Sequence, residues 1–236
     1  MRIRCLCGNS DFKSIGWKDE RQVVECSCCS HWYVLDVPDE YLEIYKGDWY
    51  QNQHQMEIGH TPYKDRYWHD YWIAVSRLEK IQKFRGIGEL LDVGCSNGAF
   101  VHCAKIYGYK ASGLDLAEST SKIEDCRIGF IEDEISETCD ILTLHDVIEH
   151  TIDPLNTVYH LWRVLRPYGL LVLETPDFGC EEFKMEGIYW KHVRPLEHIH
   201  MLNSKVILEL LAKQCFKIIE TTNPIPGKLA VYAEKL

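Results

Sequence analysis

The second half of the chain alternates short apolar runs with amphipathic stretches. Apolar runs at 89–93, 111–115, 127–131, 140–145 and 170–174 predict five strands. Apolar positions three or four apart predict helices at 99–107 and 155–165, with a short helix near 119–124. A further helix is predicted from the cap at Asn203 to about Cys215. Strands that alternate with helices are typical of a doubly wound parallel sheet of the α/β class.

The last two predicted strands, 216–222 and 229–234, are separated only by the turn NPIPG at 223–227. A connection this short joins antiparallel neighbours, because a parallel crossover needs about a dozen residues. We therefore expect a Rossmann-like, mostly parallel sheet of seven strands that ends in an antiparallel hairpin.

A different pattern precedes residue 88. Tyrosine and tryptophan crowd residues 37–71, which indicates either a local packing layer or the wall of a pocket. An amphipathic helix is predicted over 65–84 from the spacing of Trp68, Trp72, Val75, Leu78 and Ile81. We expect three units: a zinc-binding module at 1–35, an aromatic, helical segment on the substrate side at 36–87, and the α/β domain at 88–236.

Composition narrows the class of protein. The 236 residues are 46% hydrophobic and 26% charged, and the formal net charge of −10 disfavours nucleic acid as a partner. No apolar run approaches the roughly 20 residues that span a bilayer, and the opening MRIRCLCGNS lacks the apolar core of a signal peptide. We expect a cytoplasmic protein with no membrane contact, in which the eleven cysteines are metal ligands or buried apolar residues.

Five of those cysteines lie in the first thirty residues. Cys5 and Cys7 form one close pair, and Cys26 and Cys29 form a second pair with the C-x-x-C spacing of zinc sites. Four thiolates complete a tetrahedral structural Zn²⁺ site with no open position. The first pair is one residue tighter than usual, Cys28 is an alternative to Cys29, and free cysteines without a metal are the other interpretation.

The candidate ligand site begins at residues 90–100, LLDVGCSNGAF, where an apolar run leads through Asp92, Gly94 and Gly98 into a helix. A strand, glycine turn and helix of this kind can present backbone N–H groups to a ligand, although an ordinary turn is the alternative. Asp115 ends the next strand, 21 residues after Gly94, where an acid can accept hydrogen bonds from both ribose hydroxyls. Since the turn lacks the third glycine of G-x-G-x-x-G, a dinucleotide is disfavoured and an adenosine derivative is favoured.

At this point the sequence resembles the class I S-adenosylmethionine-dependent methyltransferases, whose first motif reads roughly D-x-G-C-G-x-G. The matching stretches are 92–98, Gly113-Leu-Asp115, 140–150 followed by Asp153-Pro154, and 165–176. They extend over most of residues 88–236, and the departure within the turn is Ser96 in place of the middle glycine.

The resemblance implies a cofactor, S-adenosylmethionine, and a role for each matching position. The turn, including Asp92, Gly94, Cys95, Ser96 and Gly98, would hold the methionine part. Asp115 would bind the ribose, Leu116 would pack on the adenine, and Glu132 or Asp133 would read its amino group. His145 and Asp146, at the end of the fourth strand, would border cofactor and substrate.

The two ends of the chain resemble a narrower group. A cysteine-rich module before the core, and the late block WKHVRPLEHIHML at 190–202, look like methyltransferases of sugars and natural products. Those proteins often carry a C-x-x-C pair and then a C-x-x-C-G pair before the core. Here the first pair is C-x-C, and Ser30 replaces the glycine after the second pair.

The long irregular stretch 178–202 is where a functional loop is expected. In an extended chain His198 and His200 point to the same side, so one could act as a general base and the other could orient it. A purely structural role is the alternative, and a second metal at this pair lacks an evident third ligand.

These observations predict a methyltransferase that moves a methyl group from S-adenosylmethionine to a small hydroxylated molecule, a sugar or a sugar-like intermediate. Two alternatives remain open. One is an RNA methyltransferase that grips RNA with its zinc module, although charges in residues 1–35 are nearly balanced. The other is a partner subunit that keeps the fold without catalysis.

Overall fold

The computed structural model describes residues 1–47 and 49–236. In chain order the strands are β1 (Phe12–Lys18), β2 (Arg21–Cys26), β3 (Trp32–Val34), β4 (Glu89–Val93), β5 (Lys110–Asp115), β6 (Cys126–Ile128), β7 (Cys139–His145), β8 (Leu165–Pro176), β9 (His200–Met201), β10 (Phe216–Thr222) and β11 (Lys228–Lys235). The helices are α1 (Glu43–Lys46), α2 (Gln55–Glu57), α3 (Tyr67–Ile81), α4 (Ala99–Ile106), α5 (Pro154–Val164), α6 (Glu181–Glu186) and α7 (Ser204–Lys213).

Seven strands form the main sheet in the order β10-β11-β8-β7-β4-β5-β6. The five strands from β4 to β8 pair in parallel, and β11 pairs antiparallel with both β8 and β10. The predicted mostly parallel sheet with a C-terminal antiparallel hairpin is confirmed. The central parallel strands β4, β7 and β8 are largely buried because helices cover both faces of the sheet, which explains their apolar runs.

Boundaries differ from the predictions where local patterns are weak. The third strand of the core is Cys126–Ile128 and not 127–131, because Ile131 already begins a 3₁₀ turn, Ile131–Asp133. The short helix predicted near 119–124 is a 3₁₀ turn, Glu118–Lys122. The predicted cap of the last helix is confirmed, since Asn203 Oδ1 accepts a hydrogen bond from the Val206 N–H at 3.0 Å.

Helix α3 is shorter than predicted, and its buried face is different. It packs on the core through Ala74, Leu78 and Ile81, which are fully buried. The indole rings of Trp68 and Trp72 are each 67% exposed. At 100° per residue these tryptophans lie on the side of the helix away from the buried stripe, so their assignment to that stripe was wrong.

The N-terminal cysteine-rich region belongs to a second sheet, with strand order β1-β2-β3-β9. Strand β9 comes from the C-terminal half and pairs Met201 with Trp32 and His200 with Tyr33. Phe178, Phe183 and Trp190 complete the same buried cluster. The boundaries at 35 and 87 stay a prediction, and this pairing ties the first range directly to the third.

Among residues 1–47 and 49–236, no helix is both long and apolar enough to cross a membrane.

Candidate functional site

A cavity of about 700 Å³ opens at the carboxyl ends of β4, β5 and β7. This is the edge at which ligands bind in open parallel sheets. Its walls include most of the positions that the sequence singled out, namely Asp92, Gly94, Cys95, Ser96, Asp115, Leu116, Glu132, Asp133, His145 and Asp146. The turn after β4, the end of β5 and the end of β7 are therefore brought together.

The glycine turn after β4 is held in left-handed backbone conformations. Gly94 has φ of 77° and Gly98 has φ of 73°, values that favour glycine. A Cβ at Gly94 would lie 2.3 Å from a methyl of Val147, and one at Gly98 would lie 2.5 Å from a methyl of Ile123. Both glycines are thus required by the packing of the protein around the turn, whether or not a ligand is bound.

Ser96 also has a positive φ, 50°, so it adopts the conformation of the glycine that it replaces in the family motif. This costs about 1 kcal/mol for a residue with a side chain. Its hydroxyl oxygen is buried and has no hydrogen-bond partner among the described residues. A buried, unpaired hydroxyl at the wall of a cavity is free to bond a ligand.

Asp115, the last residue of β5, stabilises the glycine turn that follows β4. Its Oδ2 accepts a hydrogen bond from the Ser96 N–H at 2.8 Å, and its Oδ1 accepts one from the Ala117 N–H at 3.0 Å. Burial raises the pKa of this carboxyl, and these two N–H groups oppose that effect. Each oxygen keeps a second lone pair, so the carboxylate can still accept bonds from a ligand.

Asp92 and His145 form a buried pair at the floor of the cavity. Asp92 Oδ1 accepts a hydrogen bond from Thr143 Oγ1 at 2.6 Å and lies 3.5 Å from His145 Nδ1. The imidazole packs on the Phe100 ring with a centroid distance of 4.8 Å. Its Nε2 is buried without a partner among the described residues, so it is a candidate ligand contact.

Asp146 follows directly and has φ of 57°. It forms an ion pair with Lys228 of β11. Burial alone would raise its pKa, but Lys228 and then Arg77 hold that pKa well below the usual range. Asp146 is therefore a fixed anion at the cavity wall, suited to accepting a hydrogen bond from a substrate.

The side chains of His198 and His200 lie in different environments. His198 Nδ1 donates to the His192 carbonyl at 2.7 Å, and its ring lies 4.8 Å from the His150 ring at the cavity edge. His200 stacks on His31 at 5.2 Å and donates from Nε2 to the Ile152 carbonyl at 3.3 Å. His200 is the first residue of β9 and so belongs to the N-terminal sheet, away from the cavity. Its predicted role, as a general base or as the residue that orients one, gains no support from this position.

The aromatic segment at 37–71 forms both a packing layer and a wall of the cavity, the two roles that its composition permits. Tyr45, Tyr50 and Tyr63 line the cavity, and Tyr45 and Tyr50 contact each other at a centroid distance of 4.7 Å. Asn97 of the glycine turn donates to the Tyr63 carbonyl at 3.0 Å and to Asp70 Oδ2 at 2.8 Å. The turn therefore also anchors the wall opposite it.

Local sequence patterns did not single out two cavity residues, Arg66 at the N-terminal cap of α3 and Arg77 within α3. Arg66 lies over the Tyr63 ring at 4.1 Å and pairs with Asp70 at 2.9 Å. Arg77 pairs with Glu174 of β8 at 2.6 Å. Cationic residues that interrupt the apolar spacing of a helix were the available signal.

The sulfurs of Cys5, Cys7, Cys26 and Cys29 meet in a separate cluster, all within 4.8 Å of one another. Cys5 Sγ lies 3.3 Å from Cys29 Sγ, and Cys7 Sγ lies 3.5 Å from Cys26 Sγ. The side chain of Cys28 is exposed outside the cluster. Sulfurs bound to one Zn²⁺ at about 2.3 Å are nearly 4 Å apart in a tetrahedron, so this donor set fits the ion.

The seven-stranded sheet and the cavity at its carboxyl edge define the class I S-adenosylmethionine-dependent methyltransferase domain. The family model described as a methyltransferase domain matches residues 49–221. Because the match extends over most of the chain, this protein belongs to that methyltransferase family.

Curated relatives and solved structures agree with this class. The ubiquinone biosynthesis O-methyltransferase of Chromobacterium violaceum is 27% identical over 133 residues, which are 50% of this chain and 57% of that protein. The protein of the same name from Actinobacillus pleuropneumoniae is 29% identical over 120 residues, 42% of this chain and 51% of that protein. The chain thus spans about half the length of these relatives.

The fold is shared with solved structures at low identity. An S-adenosylmethionine-dependent methyltransferase from Thermotoga maritima superposes with a TM-score of 0.59 at 14% identity, covering 80% of this chain and all of that one. One from Archaeoglobus fulgidus has a TM-score of 0.56 at 16% identity, covering 70% of this chain and 93% of that one.

Proposed function

We propose that this protein transfers a methyl group from S-adenosylmethionine to a hydroxyl of a small acceptor, a sugar or a similar hydroxylated ring. The observation that carries the proposal is the cavity of about 700 Å³, which has Asp115 and the glycine turn on one side and a tyrosine wall on another. A volume of that size accommodates a nucleoside cofactor and a compact second ligand.

The cofactor would lie against the turn and the end of β5. Ser96 Oγ and the backbone of 92–98 would hold the methionine part, and the remaining lone pairs of Asp115 would accept the ribose hydroxyls. Leu116 would contact the adenine, with Glu132 or Asp133 near its amino group. The unpaired hydroxyl of Ser96 and the free acceptor capacity of Asp115 support this placement.

When bound, the cofactor would supply an electrophilic methyl group on a sulfonium, and the hydroxyl proton of the acceptor would pass to water. Since the leaving thioether needs little help, the protein contributes mainly orientation and exclusion of water. Asp146 would accept the acceptor's hydrogen bond and His145 would border the methyl group, while residues 36–87 form the substrate side through Tyr45, Tyr50 and Tyr63.

A tyrosine-lined cavity of about 700 Å³ favours a small acceptor over RNA. The test is methyl transfer from radiolabelled cofactor to a panel of sugars, sugar nucleotides and phenols, beside structured RNA. We expect label in a small-molecule acceptor, and RNA retention on filters that is equally weak at two salt concentrations. Salt-sensitive RNA binding with label in RNA would favour the RNA alternative. Failure to bind the cofactor would favour the non-catalytic alternative.

Replacing Ser96 with glycine tests the departure in the turn. The exchange relieves the positive-φ cost but adds chain entropy, and each effect is about 1 kcal/mol. We therefore expect the free energy of unfolding to change by less than about 1 kcal/mol, while the cofactor Kd weakens by roughly threefold to tenfold because the hydrogen bond of the hydroxyl is lost. Ser96→Ala, which keeps the strain and removes the hydroxyl, is the matched variant and should show the same loss. A wild-type Kd in both variants would show that Oγ does not bind the cofactor.

We also propose that Cys5, Cys7, Cys26 and Cys29 hold one structural Zn²⁺. Elemental analysis is expected to find about one zinc per chain. Cys26→Ser should lose it and loosen the N-terminal sheet, because three ligands bind far more weakly than four. Cys28→Ser is the control and should keep its zinc, because that side chain lies outside the cluster. Zinc retained by Cys26→Ser, or none in the wild type, would refute the site.

A further inference from the structure

A second group of metal-ligand side chains lies at the edge of the cavity. Glu149 and His150 end the 3₁₀ turn Ile148–His150, and His198 precedes β9. One ligand atom from each lies within 4.8 Å of the other two. The Ile199 N–H donates to the Glu149 carbonyl at 3.1 Å, and this bond holds the two segments side by side.

The carboxylate of Glu149 is fully buried and only half satisfied. Its Oε2 accepts a hydrogen bond from Thr175 Oγ1 at 2.9 Å, whereas its Oε1 has no partner among the described residues. An unpaired carboxylate oxygen inside a protein is costly unless a cation or a donor binds it.

Both histidines are oriented by their other ring nitrogen. His150 Nδ1 donates to the Glu197 carbonyl at 2.8 Å, and His198 Nδ1 donates to the His192 carbonyl at 2.7 Å. Because a carbonyl can only accept, each neutral ring carries its proton on Nδ1 and offers the Nε2 lone pair. This is how metal-binding histidines are fixed in known sites.

We propose that Glu149, His150 and His198 bind one divalent cation at the edge of the cavity. Two imidazoles and a carboxylate suit Zn²⁺, Mn²⁺, Co²⁺ or Fe²⁺ better than Ca²⁺. Three protein ligands leave positions open, as in catalytic sites and unlike the four-cysteine cluster. His150 lines the cavity, so the open positions adjoin the proposed acceptor side.

The use of the cation rests on the proposed methyl transfer. A hydroxyl oxygen bound to the cation becomes more acidic, as metal-bound water does. Its proton would leave to water while the electron pair stays on oxygen, and that oxygen would bond to the methyl carbon as the carbon–sulfur bond breaks. Tyr45 contacts His150 at a ring distance of 5.5 Å, so a ring with adjacent hydroxyls could chelate the cation and pack on the tyrosine.

Titration with Mn²⁺, followed by the loss of its free-ion paramagnetic resonance signal, tests the site. Mn²⁺ prefers oxygen and nitrogen ligands, which keeps it out of the cysteine cluster. We expect one Mn²⁺ per chain in the wild type, and binding weakened at least about tenfold in both Glu149→Gln and His198→Gln. Thr175→Val, which releases Glu149 Oε2, should weaken it by about tenfold.

His192→Gln is the matched control. It keeps the backbone carbonyl that orients His198, and the ring it removes stacks 6.4 Å from the His198 ring without supplying a ligand atom, so the Mn²⁺ affinity should stay within twofold of wild type. No saturable binding in the wild type, or wild-type affinity in either ligand variant, would overturn the proposal. The titration contains no methyl donor or acceptor. Calorimetry with S-adenosylmethionine therefore tests separately the cofactor binding on which the proposed methyl transfer depends, and the ligand variants should keep their cofactor affinity.

Discussion

Asp115→Ala is expected to weaken S-adenosylmethionine binding by about 100-fold or more. The variant removes an anion that would accept two ribose hydrogen bonds, each worth about 1.5 to 3 kcal/mol when the acceptor is charged. It also frees the N–H groups of Ser96 and Ala117, which the carboxylate now satisfies. A loss of about 2.7 kcal/mol corresponds to 100-fold in Kd, which isothermal calorimetry resolves.

The variant Asp115→Asn distinguishes a direct role of Asp115 in cofactor binding from a role in folding the glycine turn. Its amide keeps one acceptor oxygen and nearly the same volume, so the turn should fold while the ribose contact is weakened. We expect an intermediate Kd and a Tm close to wild type. Cofactor binding by Asp115→Ala at wild-type strength would refute the placement of the ribose. Equal loss in both variants with a large fall in Tm would assign Asp115 a structural role only.

Arg77→Met is expected to destabilise the protein strongly. Arg77 donates from Nε and Nη2 to the two oxygens of Glu174, at 3.1 and 2.6 Å. The side chains are only 22% and 11% exposed, so removing the cation leaves a nearly buried carboxylate unpaired. Breaking such a pair costs about 3 kcal/mol, and Tm should fall by roughly 6 to 12 °C.

Two further variants give this prediction its controls. Lys80 on the same helix pairs with Glu220 near the surface, and Lys80→Met should cost less than about 1 kcal/mol. The double variant Arg77→Met with Glu174→Leu should recover much of the loss, because it leaves no unpaired charge. Thermal unfolding measures all three. An Arg77→Met variant as stable as Lys80→Met would show that Glu174 is solvated and not dependent on Arg77.

The core of the fold was predictable because its signals are local. Buried parallel strands appear as apolar runs, the caps of the flanking helices are single residues, and a short turn permits only an antiparallel hairpin. The candidate cofactor site was predictable for the same reason. Its residues Asp92, Gly94, Gly98 and Asp115 lie at strand ends, which a doubly wound sheet brings to one edge. The left-handed backbone at Ser96 follows from the glycine that the motif has there.

The second sheet could not be predicted from local patterns. Strand β9 is two residues long and pairs with β3, which lies about 170 residues earlier in the chain. Strand pairing over such a distance depends on the apolar surface that both segments bury, and a two-residue strand has no period of its own. The same pairing directs His200 away from the cavity, and so the expected partnership of His198 and His200 is absent from the structure.

The amino-acid sequence by itself determined the class of this protein: an α/β sheet with a glycine turn, an acid at the next strand end, and four cysteines at metal-binding spacing. Only the tertiary structure decided the partners of the remaining polar groups. In the folded protein Cys29, and not Cys28, belongs to the four-cysteine cluster, and His198 lies beside Glu149 and His150. The physical reason is that spacing along the chain governs helices, strands and turns, whereas the contacts of a buried polar side chain depend on how distant segments pack together.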